Sequence, residues 1–163
     1  MTPSSKVLVA EKCEADRDVA EKLQIQQGDW VYRIKKLQLA NGEVIALFDS
    51  YWIQYIGERL AKQELAETGI FLIVEEQLGV QLGEAEATVE AGNASAEEAR
   101  LLGIPRGAAI LIMEHVIYSM DGRPIDFSRH VYRSDKYKYR IRQVRTTRRP
   151  LGNSRLFTQG NAK

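Results

Sequence analysis

Two stretches of the chain alternate apolar and polar residues at the period of a half-buried strand. Each is followed by a turn and a second run of the same kind. The first pair is residues 31–39 and 44–51, joined through Asn41-Gly42, and the second is 110–118 and 124–132, joined through Asp121-Gly122. Asn-Gly and Asp-Gly favour a tight hairpin because they admit positive φ. Ahead of each hairpin lies a short helical stretch opened by a good capping residue, Asp16 in one case and Ser95 in the other. The two blocks match position by position: Ala20, Leu23, Ile25 and Gly28 recur as Ala99, Leu102, Ile104 and Gly107, each 79 residues on. Beyond the turn the spacing becomes 80 (Gly42/Gly122, Ile45/Ile125, Leu47/Phe127), so one residue is inserted ahead of the second turn. The chain reads as a duplicated helix–hairpin unit.

Between the copies, residues 57–65 are amphipathic, and residues 70–78 are heavily apolar up to Gly79, a normal helix stop. Residues 84–91 alternate and read as a connecting strand, and 5–9 and 137–144 are the remaining strand candidates. Residues 150–163, with Gly152, Asn153, Gly160 and Asn161, read as a disordered tail after a single domain over 1–149. The predicted fold class is α+β: an antiparallel sheet of two related hairpin units with helices packed on one side.

Composition agrees with a globular chain: 163 residues, 44% hydrophobic and 28% charged. No run of about 18 apolar residues exists, which excludes a transmembrane helix. The first residues lack an apolar signal core, so the expected location is cytoplasmic, with no membrane partner. Cys13 is alone, so no internal disulfide forms. The net charge of +1 hides an asymmetry. Residues 1–132 carry 13 Lys/Arg against 21 Asp/Glu, a balance of −8, and residues 133–163 carry 10 against Asp135, a balance of +9. The even spacing of Lys136, Lys138, Arg140 and Arg142 suits the solvated side of a strand better than a nucleic-acid arm.

Most catalytic signatures are missing. The sequence has no phosphate loop, no dinucleotide-binding glycine motif and no nucleophile elbow. His115 and His130 lie on different strands without cysteine partners, so neither a zinc site nor any other metal or cofactor is expected. What stands out is polarity inside strands. Lys36 and Gln38 share one side of the first hairpin, with Arg33 and Lys35 on the other. Asp126, Ser128 and His130 share one face of the second, with Phe127, Arg129 and Val131 opposite. A face offering a cation, an amide, a carboxylate and phenols suits a small polar, anionic ligand, or is a solvated sheet face.

Four stretches together resemble the UTRA domain, the effector-binding half of GntR-type bacterial transcription regulators of the HutC subfamily. They are residues 19–28, 34–45 with Asn41-Gly42, 69–79, and 99–107 running through Asp121-Gly-Arg-Pro-Ile125 to Tyr137. The resemblance implies a chorismate-lyase-like fold that binds a small-molecule effector, an anionic metabolite or sugar phosphate, and forms a homodimer. It also implies DNA contact only through a winged helix domain. About fifteen residues precede the first helix, too few for that domain, so an isolated sensor is expected. The family's Arg-x-Arg and returning Glu fall on Lys36, Gln38 and Phe48; the loss of guanidinium forks counts against a phosphosugar. The family's Ser-Leu-Tyr falls on Gly69-Ile-Phe71, with Thr68 before it. Asp126 and Tyr132 match an acid and a phenol that face the ligand, and Arg129 and Arg133 are further candidates. The alternative is a chorismate-lyase-like enzyme acting on a small carboxylate; a nucleic-acid module built on Arg140, Arg142, Arg145, Arg148 and Arg149 ranks third.

Overall fold

A computed structural model describes residues 2–63 and 70–142. The first copy of the repeat forms β1 (Pro3–Glu14), α1 (Arg17–Leu23), β2 (Trp30–Ala40) and β3 (Glu43–Ile53). Next come α2 (Gln54–Leu60) and α3 (Ile70–Leu72), which widens into a π-helical stretch at Ile73–Gln77. The second copy forms β4 (Leu82–Asn93), α4 (Ala96–Leu102), β5 (Ala109–Ser119) and β6 (Pro124–Arg133). The strands make one antiparallel sheet in the order β1-β2-β3-β6-β5-β4.

Local chemistry repeats with the sequence. Asp16 accepts a hydrogen bond from the Val19 N–H at 2.9 Å to start α1. Ser95 and Glu98 form a reciprocal capping box on α4, at 3.2 and 2.8 Å. Gly28 and Gly107, at φ +91° and +78°, each donate their N–H to the carbonyl of Ala15 or Ala94 at 2.9 Å. That left-handed conformation strains any side chain, so glycine recurs there. The first hairpin turns through Asn41 and Gly42, both at positive φ, and the second takes the inserted residue into a looser turn closed by Ser119 and Arg123.

The copies meet at the middle of the sheet, where β3 pairs with β6 and Asp49 lies opposite Arg129. These residues are 80 apart, so a pseudo-twofold axis passes between them. On one face, α1 covers Val31 and Phe127, and α4 covers Leu47 and Val131. Leu23 and Leu102, 2% and 0% exposed, anchor the two helices, each burial contributing about 2 kcal/mol. On the opposite face, α2 and the Ile73–Gln77 stretch bury Ile34, Trp52, Ile56, Leu60, Ile73 and Val74. The α2 contact depends on Gly57, where a Cβ would fall 2.1 Å from the Tyr32 Cβ. The repeat helices thus share one side as expected, whereas the segment between the copies covers the other, because residues 70–78 need an apolar surface of their own.

Three further expectations change in extent or outcome. Residues 84–91 are part of β4, the counterpart of β1 exactly one repeat away; both are exposed edge strands, where alternation is a weak signal. The strand expected at 137–144 is absent over its described part: Tyr137 makes an isolated bridge and residues 138–142 have no regular structure. Asp135, held by Arg133, turns the chain away from the sheet. Lys138, Arg140 and Arg142 are exposed, in keeping with a solvated role. The second helix begins earlier than expected, at Gln54, and the tail at 150–163 lies outside the described residues. Among the described residues no helix is long and apolar enough to cross a membrane.

Candidate functional site

The α2 face of the four central strands is a lattice set by register. Lys36 lies beside Phe48, His130 and Met113 in one row. The neighbouring row is Ile34, Ser50, Ser128 and His115, and the next is Tyr32, Trp52, Asp126 and Ile117. Gln38, Ala46, Tyr132 and Leu111 make the row on the other side. Apolar residues frame the patch, and polar ones fill it.

Asp126, Ser128 and Lys36 among them are buried and poorly satisfied. Asp126 is 0% exposed and neither carboxylate oxygen has a hydrogen-bond partner; the Ser128 hydroxyl is orphaned beside it. Burial pushes the Asp126 carboxyl well above the usual range, and Ser128 offsets this slightly without reaching hydrogen-bond geometry. Lys36 is 7% exposed, and its ammonium pairs with no carboxylate among the described residues. Burial lowers its pKa. His130 is pulled down to about 3, first by burial and then by the charges of His115 and Lys36; burial lowers His115 as well. Native proteins satisfy most buried polar atoms, so this cluster is the candidate site of the sheet.

The aromatic frame is ordered. Phe48 stacks on His130 at 3.8 Å, and Tyr132 stacks on Tyr137 at 3.9 Å while its ring edge meets Phe48 at 5.6 Å. Tyr132 Oη lies 3.5 Å from His130 Nδ1. At the other end the Trp52 Nε1–H donates to Ser50 Oγ, which donates to the Ile34 carbonyl, both at 3.2 Å. Phe71, 40% exposed, leans over Trp52 at 6.0 Å from the start of the helical segment.

The α1/α4 face of the same strands carries charge of a different kind. Arg33 forks onto Asp49 at 2.9 and 2.6 Å. Arg129 donates to Glu98 at 2.6 Å and Lys35 to Glu97 at 2.9 Å. These pairs line a cavity of about 280 Å³ between the starts of α1 and α4. Every cation in it is matched.

The structure therefore brings Lys36, Gln38, Phe48, Asp126 and Tyr132 onto one face, with Phe71 at its rim. Arg129 is on the opposite face in its pair with Glu98. Arg133 is held by Asp135, Glu43 and the Val44 carbonyl, a clamp at the end of β6. Thr68 lies outside the described residues. Sequence reasoning left out Ser50, Ser128, His115 and His130 as site residues. The repeat offset points to His115, because it stands 79 residues after Lys36, and strand parity points to Ser128 and His130.

The family model described as the UTRA domain matches residues 1–138. An uncharacterized HTH-type transcriptional regulator of Bacillus subtilis, YydK, is 26% identical over 136 residues, covering 83% of this chain and 57% of its own. Its crystal structure superposes with a TM-score of 0.81 at 26% identity, over 86% of this chain and 62% of that one. The HTH-type transcriptional repressor NagR of the same organism is 24% identical over 139 residues, 85% of this chain and 57% of its own. A GntR-family transcriptional regulator from Enterococcus faecalis shares the fold at a TM-score of 0.79 and 24% identity, over 86% of this chain and 100% of that one. The chain spans a little over half the length of the curated relatives it matches.

Proposed function

The chain belongs to the UTRA family, and from that premise we infer that the α2 face of its sheet is the receptor for a small-molecule effector. The observation that carries this reading is the buried, orphaned pair Asp126 and Ser128 within an aromatic frame, beside a buried Lys36 that pairs with no carboxylate among the described residues. Lys36 meets the anionic part of the effector, Asp126 and Ser128 meet its hydroxyl or amine donors, and Phe48, Tyr132 and Phe71 cover its apolar surface. Gln38, on the Lys36 side of the lattice, adds an amide. In the whole protein, which this reading places in the cytoplasm, the domain pairs with a second copy and passes its ligand state to a DNA-binding module, and the helix-turn-helix in the names of its relatives supports that module. The coupling equals the difference in effector affinity between two arrangements of that dimer.

A receptor fits the site better than a lyase. Lys36 is the one lysine or arginine on this face of the four central strands, whereas a dicarboxylate substrate calls for two cations.

The experiment is a thermal-shift screen of sugar phosphates, amino-acid derivatives and small carboxylates, followed by calorimetry with the compound that raises the melting temperature. Lys36→Ala and Asp126→Ala are each expected to weaken that compound at least about tenfold, the loss of one buried charged contact. Arg129→Ala, on the other face, leaves its affinity unchanged. Wild-type affinity in both of the first two variants overturns the reading.

A further inference from the structure

Four side chains on the α2 face form a square fixed by register: Ser50 on β3 lies opposite Ser128 on β6, and Trp52 lies opposite Asp126 one row on. The β3 half is satisfied, since the Trp52 Nε1–H donates to Ser50 Oγ and that hydroxyl donates to the Ile34 carbonyl, both at 3.2 Å. The β6 half is open. Asp126 is 0% exposed and Ser128 2%, and neither the carboxylate oxygens nor the hydroxyl has a hydrogen-bond partner. Beside the acid stands the indole of Trp52, and Phe71, largely open to solvent, leans over that indole at 6.0 Å.

What this corner lacks is a positive charge. The sheet brings Tyr32 and Lys36 from β2, His115 from β5 and His130 from β6 to the same face as Asp126. The elements packed around it add Glu58 and Arg59 of α2, the exposed Glu75 and Glu76, and the exposed Asp121 and Arg123 of the last turn. None of these forms an ion pair with Asp126, and no other described residue does. Lys36 is two strands and two rows away, a Cα separation on the order of 15 Å at ordinary sheet spacings. A buried acid with no cation and aromatic rings beside it is the complement of an organic ammonium: the carboxylate supplies the opposite charge and the rings an electron-rich wall. A neutral hydroxyl would satisfy Ser128 yet leave the charge of the acid uncompensated. A metal ion fits less well, because one carboxylate and one hydroxyl fall short of the oxygen ligands it needs.

We propose that this corner receives an organic ammonium group of the effector, held by the Asp126 carboxylate and the Ser128 hydroxyl, with Trp52 and Phe71 as its aromatic wall. The proposal rests on the reading of this face as the effector site and adds a chemical class: a molecule that carries an amine as well as the anionic part met by Lys36. A pH signature follows. Burial raises the Asp126 carboxyl, so the empty site keeps its proton to a higher pH than an ordinary carboxylate does. An ammonium binds the ionised form and displaces that proton, so its affinity increases as pH rises through the raised value.

The test uses the full chain with methylammonium chloride, tetramethylammonium chloride and D-glucose as separate probes, the two salts compared with potassium chloride at equal ionic strength. Both ammonium ions keep their charge between about pH 5 and about pH 8. The chain has two tryptophans, and the Trp52 indole N–H, hydrogen-bonded inside the square, reports binding by NMR. At least one ammonium salt is expected to shift that signal saturably, with a dissociation constant that tightens about tenfold or more from the lower pH to the higher. Methylammonium binding identifies a protonated amine and tetramethylammonium binding a quaternary one; either supports the proposal. Asp126→Asn removes the saturable shift, and Phe71→Ala, at an exposed position, weakens binding about threefold. Failure of both salts to move the signal overturns the proposal, as does an Asp126→Asn protein that binds them as wild type does, or an affinity that is flat or falls with rising pH. If glucose alone moves the signal and Asp126→Asn cancels the effect, the effector face stands and only the ammonium falls. If the compound found by thermal shift binds Lys36→Ala and Asp126→Ala as tightly as wild type, the effector face itself falls.

Discussion

The same four strands present two faces whose side chains are one residue apart in sequence, and the two treat charge in opposite ways. On the α1/α4 side Arg33, Lys35 and Arg129 each reach a carboxylate, and the exposed ends of α1 and α4 supply or border those partners. On the α2 side Lys36, Asp126 and Ser128 are more deeply buried; the acid and the hydroxyl have no hydrogen-bond partner, and Lys36 has no carboxylate among the described residues. Stability alone explains the first arrangement, since a paired charge near the surface costs little. It does not explain the second, in which polar atoms lose water without gaining a partner. The comparison separates what the fold needs from what the chain carries at the expense of its own stability.

The sharpest way to break this comparison is to remove the lone acid. Asp126→Asn keeps the shape and cannot ionise. It is expected to stabilise the protein by about 2 kcal/mol at mildly alkaline pH, the scale of a desolvated charge no longer held in the core. The sign is fixed by the direction of the shift. A carboxyl whose folded pKa is raised contributes most below its unfolded pKa and loses that contribution as pH rises through the folded value. The advantage of the variant therefore shrinks toward zero as pH falls to about 4. Thermal melts of both proteins across pH check this; a variant less stable than wild type at every pH shows that the acid has a structural partner after all.

The opposite face predicts the opposite sign. Arg33→Ala leaves the half-buried Asp49 without its two-pronged donor and is expected to cost about 1 to 2 kcal/mol. Denaturant unfolding of the variant measures it, and Asp49→Ala in the Arg33→Ala background, giving back part of the loss, confirms that the cost lies in the stranded partner. A neutral Arg33→Ala merges the two faces into one kind and removes the contrast.

Much of this was legible in the sequence because the repeat doubles every local signal. One Asn-Gly is a weak hairpin marker, but two matched turns with matched caps and glycines at a constant offset fix both hairpins. Strand parity then places Lys36 with Gln38 and Asp126 with Ser128 and His130, since period two needs no tertiary information. Parity also puts Arg129 on the far side, and only the resemblance made it a site candidate. Its partner Glu98 sits on α4, 31 residues upstream, a pairing that no spacing rule connects to a strand. The edge strands were harder to read, because β1 and β4 pair on one side only and expose most of their side chains. Which of two faces would be covered by α2 was not legible either: that choice depends on Gly57 passing over Tyr32, a contact between elements.

The smallest effect sharpens the contrast most finely. Lys35 and Lys36 are adjacent, the same residue type on the same strand, and differ only in the face they take. Lys35 meets Glu97, whose side chain is 64% exposed, so the pair is screened by water on one side. Hydrogen bonding and charge from Lys35 hold the Glu97 carboxyl below its usual range, but an exposed pair of this kind contributes little to folding. Lys35→Ala is therefore expected to change stability by less than about 0.5 kcal/mol and to leave effector affinity unaltered. Lys36→Ala, one residue on, is expected to remove a buried unpaired cation, so it holds or gains stability while effector binding collapses. Parallel melts and binding curves on the two variants measure both quantities at once. If the two lysines respond alike, the division of this sheet into a paired face and an open one is wrong at the strand where it is drawn most closely.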